Sequence, residues 1–431
     1  MSYMDRSVLY YRQGGKRKGK LLGMISVHVD DLAVTGSEEL IQWFWKLLEG
    51  KYGEVKFQRE TFKHVGHRYA QQANGAIWTD QIEYVQGIDP PFIPRRVMTS
   101  PLDTDEMHEL RRVNGEMAYS GQGALNFLGR IALSCQGAHG ESTIEDLRNA
   151  GKVLEGMQKE PNPGQVRYEP IPTQDFRLIC VSDASLRTGK PKVSQGGYFI
   201  VLTENTPNKF GGVCHVLEVS SKKATRVAKS SMAAEILGLC RASEAGQRIT
   251  AWLHEIWYGV ESASELIDRN QVEGLKTCIV TDAYDVFLSM RCPRPYQGQD
   301  LSMTTYVESL REDLATRRLE EMCWVPTGHM LPDSLTKDME DKLITALMHT
   351  GRWEVPWEEI KLVDSKNLVN LSPGSVHWTR SDVRAMDKDL GCGEHECLCC
   401  GPKSRSLTSS DVTDIYWLSY QELDSLTPGT N

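Results

Sequence analysis

At 431 residues the chain has room for two or three domains of ordinary size. Hydrophobic residues at 40% and charged residues at 25% are ordinary globular values that allow a sizeable core. No apolar run reaches the ~18 residues of a membrane span, and Met-Ser-Tyr-Met-Asp-Arg at the start lacks the charged-then-apolar layout of a secretory signal. The expected setting is therefore intracellular, cytoplasmic or nuclear, not secreted and not membrane-bound. A net charge of −9 argues against a nucleic-acid partner unless basic residues cluster. Arg12, Lys16, Arg17, Lys18 and Lys20 form one such run, whose plainer reading is a solvated or disordered arm. The 11 cysteines suit reduced thiols, most of them isolated in apolar segments as core packing.

In chain order, the apolar run 21–27, the acidic pair Asp30-Asp31 and a second apolar stretch ending at Gly36 predict a β-hairpin with two carboxylates at its tip. Leu40, Ile41, Phe44, Trp45, Leu47 and Leu48 then trace one broad apolar helical face. Pro90, Pro91 and Pro94 mark a break. Residues 97–159 read as mostly helical, including 123–134 and 144–157, and the prolines from Pro161 to Pro172 read as a linker. Strands follow at 178–182, 198–202 and 213–219, and a long helix opens near Ser231. A fourth strand at 278–281, a helix over about 303–316, a fifth strand at 322–325 and a helix opening near Asp333 complete the pattern. That order, β-β-β-α-β-α-β-α, is a mixed sheet flanked by helices.

Asp183 and Asp282 are each placed at the C-terminal end of a buried strand, where an open sheet exposes its ends to ligand. Glu235 falls in the first turns of the long helix, and Asp333 opens the last one. Singly, each has a bland role: an aspartate after a strand is an ordinary turn former or helix cap, and Glu235 alone is a solvated helix residue. As a set of four on neighbouring elements they would repel unless cations neutralise them. An all-oxygen ligand set suits Mg²⁺ or Mn²⁺ rather than zinc, and a pair of such ions suits phosphodiester hydrolysis.

The residues also resemble a family. His28-Val-Asp30-Asp31-Leu-Ala-Val-Thr-Gly36 resembles the Tyr-Val-Asp-Asp-Leu hairpin of copia-like retrotransposon reverse transcriptases. Ile82-Glu-Tyr84-Val85, Thr99-Ser-Pro101-Leu102 and the stretch from Gly123 to Leu128 are similar to its next landmarks. Val181-Ser-Asp183-Ala, the stretch from Ser220 to Glu235, Thr281-Asp282-Ala, and the stretch from Trp324 to Lys337 are similar to its ribonuclease H landmarks. The landmarks run collinearly over about 24–340.

The resemblance implies an α/β (α+β) fold. A truncated reverse-transcriptase palm at 1–95 and a helical thumb or connection at 96–172 would precede a ribonuclease H-like domain at 173–350, a mixed five-stranded sheet flanked by helices. Residues 351–431 would be a C-terminal extension of unknown role. It implies Mg²⁺ or Mn²⁺ as cofactor, held by Asp183, Glu235, Asp282 and Asp333, with His329 as a mobile acid assisting product release. Asp30 and Asp31 would be a polymerase-motif remnant. The family's first polymerase carboxylate lies upstream of this hairpin, so polymerase activity is expected to be lost. The implied partners are an RNA–DNA hybrid and other retroelement Pol or Gag products.

The departures are specific. His28 replaces the family's tyrosine, Ala224 its glutamine, Ala283 its asparagine, and Ser134-Cys-Gln-Gly-Ala stands where Arg-Pro-Asp is expected. These motivate a second reading, a non-catalytic remnant or repurposed nucleic-acid-binding scaffold. Cys392, His395, Cys397, Cys399 and Cys400 cluster late in the chain, but their spacing departs from the paired cysteines of zinc sites.

Overall fold

Strands β1 (Val8–Arg12), β2 (Leu21–His28) and β3 (Asp31–Gly36) form an antiparallel ribbon in the computed structural model. The structure describes residues 1–138, 140–173, 175–188, 193–268, 274–291, 300–339, 342–364 and 414–419. His28 pairs with Asp31 across the tip, and Val29 takes a φ of 54°, the left-handed backbone that a two-residue hairpin turn demands. Ile25, Leu32 and Val34 pack with Ile41 and Leu48 of α1 (Glu38–Tyr52), whose first turn is capped by the Ser37 hydroxyl. Leu47, expected on the apolar face, is instead 51% exposed.

The chain continues through β4 (Lys56–Arg59), β5 (Thr61–His64), β6 (His67–Gln71), β7 (Ile77–Asp80) and α2 (Ile82–Gln86). Helices α3 (Thr104–Ser120), α4 (Leu128–Gly137) and α5 (Ile144–Lys159) close around Val113, Met117, Ile131, Leu147 and Leu154. Asp103 opens α3 with a capping box to Glu106. The stretch expected to be a pure linker carries a strand, β8 (Val166–Tyr168), which pairs with β7 and completes a four-stranded sheet, β5-β6-β7-β8. Its three residues are too few to show an alternation among prolines.

The larger sheet starts with β9 (Phe176–Thr188), β10 (Val193–Glu204) and β11 (Phe210–Lys223), all antiparallel. Then come α6 (Ser231–Tyr258), α7 (Ala263–Asp268), β12 (Leu275–Thr281), α8 (Tyr284–Arg291), α9 (Thr304–Ala315) and β13 (Glu321–Trp324). The last elements are α10 (Asp333–Thr336), α11 (Lys342–Thr350), β14 (Arg352–Val355) and β15 (Lys361–Asp364). Strand β12 is parallel to both β9 and β13. Side chains from Leu178 to Val181 are fully buried, covered on both faces as central strands of such a sheet must be.

This sheet has seven strands in the order β14-β11-β10-β9-β12-β13-β15, not the expected five. Both additions come from just beyond residue 350: β14 covers the first four residues of β11, Phe210 to Val213, and β15 covers the whole of β13, which shortens the exposed edges. Gly211 permits the first pairing, since a Cβ there would lie 2.1 Å from the Trp353 carbonyl oxygen. One further strand, β16 (Asp414–Ser419), pairs between β3 and β4 in the first sheet.

Arg12 does not belong to a solvated arm. It is 7% exposed, and its guanidinium donates to the backbone oxygens of Glu255 and Ile256 at 2.5 and 2.8 Å. It thus reinforces the end of α6, adding to the bond Gly259 N already makes to the Glu255 oxygen and supplying a donor to that of Ile256. The buried Glu255 carboxylate accepts from the Ser2 hydroxyl at 2.6 Å, tying the first residues to the same helix end. Cys180, Cys214, Cys278 and Cys323 are free and buried, as their apolar settings predict.

Candidate metal centre

Asp183 does not end its strand, as expected; β9 runs on through Thr188, paired with β10. What ends is the parallel partnership, since β12 pairs with β9 only as far as Val181. Asp183 therefore emerges just past the point where its neighbour leaves the sheet, the position at which strand ends offer groups to a ligand. Asp282 follows the last residue of β12 directly. Its backbone oxygen accepts from the Trp324 indole at 2.8 Å, and its carboxylate accepts from the Thr327 hydroxyl at 2.7 Å.

Glu235 arrives on α6, which the Ser230 hydroxyl caps by accepting from Ala233 N at 3.1 Å. Two glycines let this helix lie close on β9. A Cβ at Gly246 would sit 2.3 Å from the Cys180 sulfur, and one at Gly238 would sit 3.0 Å from the Ser182 hydroxyl. The second is one turn from Glu235, so the close approach brings that carboxyl to Asp183. Asp183, Glu235 and Asp282 each offer an oxygen, and these three atoms lie within 4.8 Å of one another.

The electrostatics follow from the crowding. Burial pushes the Asp183 carboxyl up to about 7, with Asp282 and Asp333 adding to the rise and Thr336 and Lys337 opposing it. Burial, then the charges of Asp183 and Asp282, push Glu235 up to about 9. One oxygen of Glu235, Oε2, is buried with no hydrogen-bond partner. Three convergent carboxyls, two of them pushed towards their protonated forms by burial and one with an orphaned oxygen, are a donor set that a hard divalent cation fits.

Asp333 lies near enough for its charge to act on Asp183, yet it stands outside the three-ligand group. Its carboxylate is paired with Lys337, one turn on. Burial works against the Lys337 charge, but the bond to Asp333 and the fields of Asp183, Asp333 and Asp282 outweigh it and raise its pKa. His329 lies in the short turn Thr327–His329, its Nε2 3.2 Å from a carboxylate oxygen of Glu359, while Trp353 donates to its backbone oxygen at 3.2 Å. Asp30 and Asp31 remain on the first hairpin and join no three-ligand group among the described residues. The late Cys/His cluster from Cys392 to Cys400 lies outside the described residues.

Three residues of this centre carried no role from sequence reasoning. Thr336 donates to the Asp183 carboxylate, Thr327 to that of Asp282, and Lys337 pairs with Asp333. All three stand inside the motif between Trp324 and Lys337. The motif was legible, but the direction of each side chain needed the fold.

No protein-family profile and no curated protein matches the chain. Among solved structures, the LC11-RNase H1 isolated from compost by a metagenomic approach is similar, at 15% identity, over 40% of this chain and 99% of that one, with a TM-score of 0.25. A likeness of that size decides nothing about the chemistry. Three points stand on geometry: the fold is mixed α/β, an acidic triad with Asp183 buried and Glu235 and Asp282 half-buried could hold a divalent cation, and no helix among the described residues is long and apolar enough to cross a membrane.

Proposed function

We propose that this chain is a retrotransposon-derived Pol fragment whose surviving activity is hydrolysis of the RNA strand in RNA–DNA hybrids. The observation that carries this reading is the convergence of Asp183, Glu235 and Asp282 within 4.8 Å, on a sheet whose first five strands come in the chain order expected from sequence. The motif series from Val181 to Lys337 supplies the substrate class. Residues 173–350 are the core of the nuclease unit in this reading, with β14 and β15 added from the extension beyond it and the upstream elements a reverse-transcriptase palm and its helical connection.

Asp183, Glu235 and Asp282 would hold Mg²⁺ or Mn²⁺, with Asp333 joining once Lys337 releases it. The cations would supply positive charge to the phosphodiester as negative charge builds on it. The chain's own residues do the rest. Thr336 and Thr327 aim the carboxylates of Asp183 and Asp282. Burial favours the protonated forms of Glu235 and Asp183, so holding a cation would require these two carboxyls to give up protons. His329, 3.2 Å from a Glu359 carboxylate oxygen, would be the mobile acid that assists product release. The hybrid would be recognised by its 2′-hydroxyls and groove shape rather than by base sequence.

A labelled hybrid incubated with purified full-length chain, Mg²⁺ or Mn²⁺ and a chelator control tests the reading. Cleavage confined to the RNA strand and abolished by chelator is the expected result. The pairing of Asp333 with Lys337 favours the competing reading of a non-catalytic scaffold, because it neutralises one carboxylate without metal. That scaffold would bind the hybrid and leave it uncut.

A further inference from the structure

Helix α4 lies outside the sheet, yet it packs directly on α10, the short segment that carries Asp333 and Thr336. The contact is close enough to require glycine: a Cβ at Gly129 would sit 2.0 Å from the Ser334 carbonyl oxygen and 2.8 Å from Leu335 Cα. Arg130, the next residue, forms an ion pair with Asp338 at 3.4 Å, just past the same segment.

One turn and a half further along α4, Gln136 starts a chain of side-chain hydrogen bonds into the site. Its amide donates to the Gln195 side-chain oxygen at 2.6 Å. Gln195, fully buried on β10, donates to the Ser221 hydroxyl at 2.8 Å. Ser221, on β11, donates to the Leu335 backbone oxygen at 2.5 Å. The next residue, Thr336, reaches the Asp183 carboxylate, and its own backbone oxygen accepts from Ser185 at 2.9 Å. Every donor in the series is used in one direction, so the Gln136 amide fixes which way Gln195 faces, and Gln195 leaves Ser221 free to donate to α10.

We propose that Gln136 is a positioning residue for the metal centre, acting through Gln195, Ser221 and the Leu335 carbonyl, and that α4 is thereby an integral part of the nuclease. This rests on the nuclease reading for its catalytic consequence but not for the coupling itself. Groups that orient ligands from one layer out change metal affinity or rate by roughly 10–100-fold when removed. Chemistry should therefore suffer while hybrid binding does not.

The test uses the full chain with Gln136→Leu, which deletes the donor, and Gln136→Glu, which keeps length and polarity but offers only acceptors. Hydrogen exchange of residues 333–337, the Mg²⁺ dependence of kcat and the KM for hybrid are measured on each. Both variants are expected to exchange faster at 333–337 and to need more Mg²⁺, by less than the roughly 10–100-fold of a group bonded directly to a ligand, with KM unchanged. Wild-type protection of 333–337 in either variant overturns the proposal. So does a uniform loss of protection across the whole sheet with a lowered Tm, which would mean packing alone. A wild-type protein that leaves hybrid uncut sinks the nuclease reading, and the exchange measurement then still decides the coupling.

Discussion

Thr336 donates its hydroxyl to the Asp183 carboxylate across 153 residues of chain, joining the last short helix to the first strand of the large sheet. Both residues are buried, Thr336 completely and Asp183 to 3% exposure. The bond favours the charged carboxylate and so opposes the burial that drives Asp183 towards protonation. The fourth carboxylate, Asp333, lies on the same short helix as Thr336, which makes that helix a hinge between ligand placement and ligand ionisation.

Replacing Thr336 with valine keeps the shape and removes the donor. Leaving a buried acceptor unsatisfied costs about 1–3 kcal/mol, so Tm should fall measurably. The Asp183 carboxyl should move further up, and Mg²⁺ at neutral pH must then displace a proton held more tightly. The expected outcome is a Mg²⁺ requirement raised by roughly tenfold or more, relieved as pH rises. Calorimetric Mg²⁺ titrations at two pH values check this; an unchanged affinity for Thr336→Val would show the bond to be incidental.

Stability of the metal-free protein should run against pH. Burial, assisted by neighbouring carboxylates, raises Asp183 to about 7 and Glu235 to about 9 in the folded chain. Unfolded carboxyls titrate near ~4. Between these values the folded state binds more protons than the unfolded one. The contribution is therefore whole below about 4 and lost as pH climbs through 7 and then 9. In chelator, Tm attributable to this site should drop from pH 6 to pH 9, and Mg²⁺ should restore most of the drop by binding the ionised form. Glu235→Gln, which cannot ionise, should flatten the upper part of the profile. A metal-free Tm that rises over this range in wild type but not in the variant would contradict the assignment.

Much of this centre was legible without coordinates, for reasons that differ by residue. Asp183 and Asp282 each stand one polar residue past a short apolar run, and such runs mark central strands of a sheet. Glu235 was placed by the helix start at Ser230 and Ser231. The edges of the sheet were not legible: β14 and β15 are four residues each, shorter than any periodicity can support, and they pair with strands far away in sequence. The ion pair of Asp333 with Lys337 was hidden for another reason. An i,i+4 spacing permits it, but whether an aspartate turns to a lysine or to a shared cation depends on packing. Arg12 illustrates the reverse error, in which a basic run suggested solvent while the fold used its first residue to close a helix end.

No primer extension is expected from this chain on any template. Asp30 and Asp31 sit at the tip of the β2–β3 hairpin with His28 opposite Asp31, and no third ligand joins them among the described residues. Two-metal nucleotide transfer needs a further carboxylate to hold both ions. An extension assay with Mg²⁺ and Mn²⁺ on primed RNA and DNA should stay blank, while the same preparation remains folded by circular dichroism. Robust metal-dependent synthesis would overturn this expectation.

Asp183→Asn gives the sharpest test of the nuclease reading, because it separates charge from shape. Asp183 is the residue whose neighbours include every other charged group of the centre: Asp282 and Asp333 raise its carboxyl, Lys337 lowers it, and Glu235 rises because of it. A neutral isostere removes one charged ligand and, with it, part of the repulsion on Glu235. Cleavage of the RNA strand should fall by orders of magnitude, while the metal-free protein melts no lower than wild type and, above pH 7, higher. Loss of activity with a lower Tm would mean that the side chain holds the fold rather than the metal. The scaffold reading expects something different again, with neither form cutting the hybrid in any Mg²⁺ or Mn²⁺ concentration. Wild-type protein that is folded, binds the hybrid and never cuts it would settle the matter against catalysis, and the acidic triad would then be a relic beside an Asp333 that Lys337 already pairs.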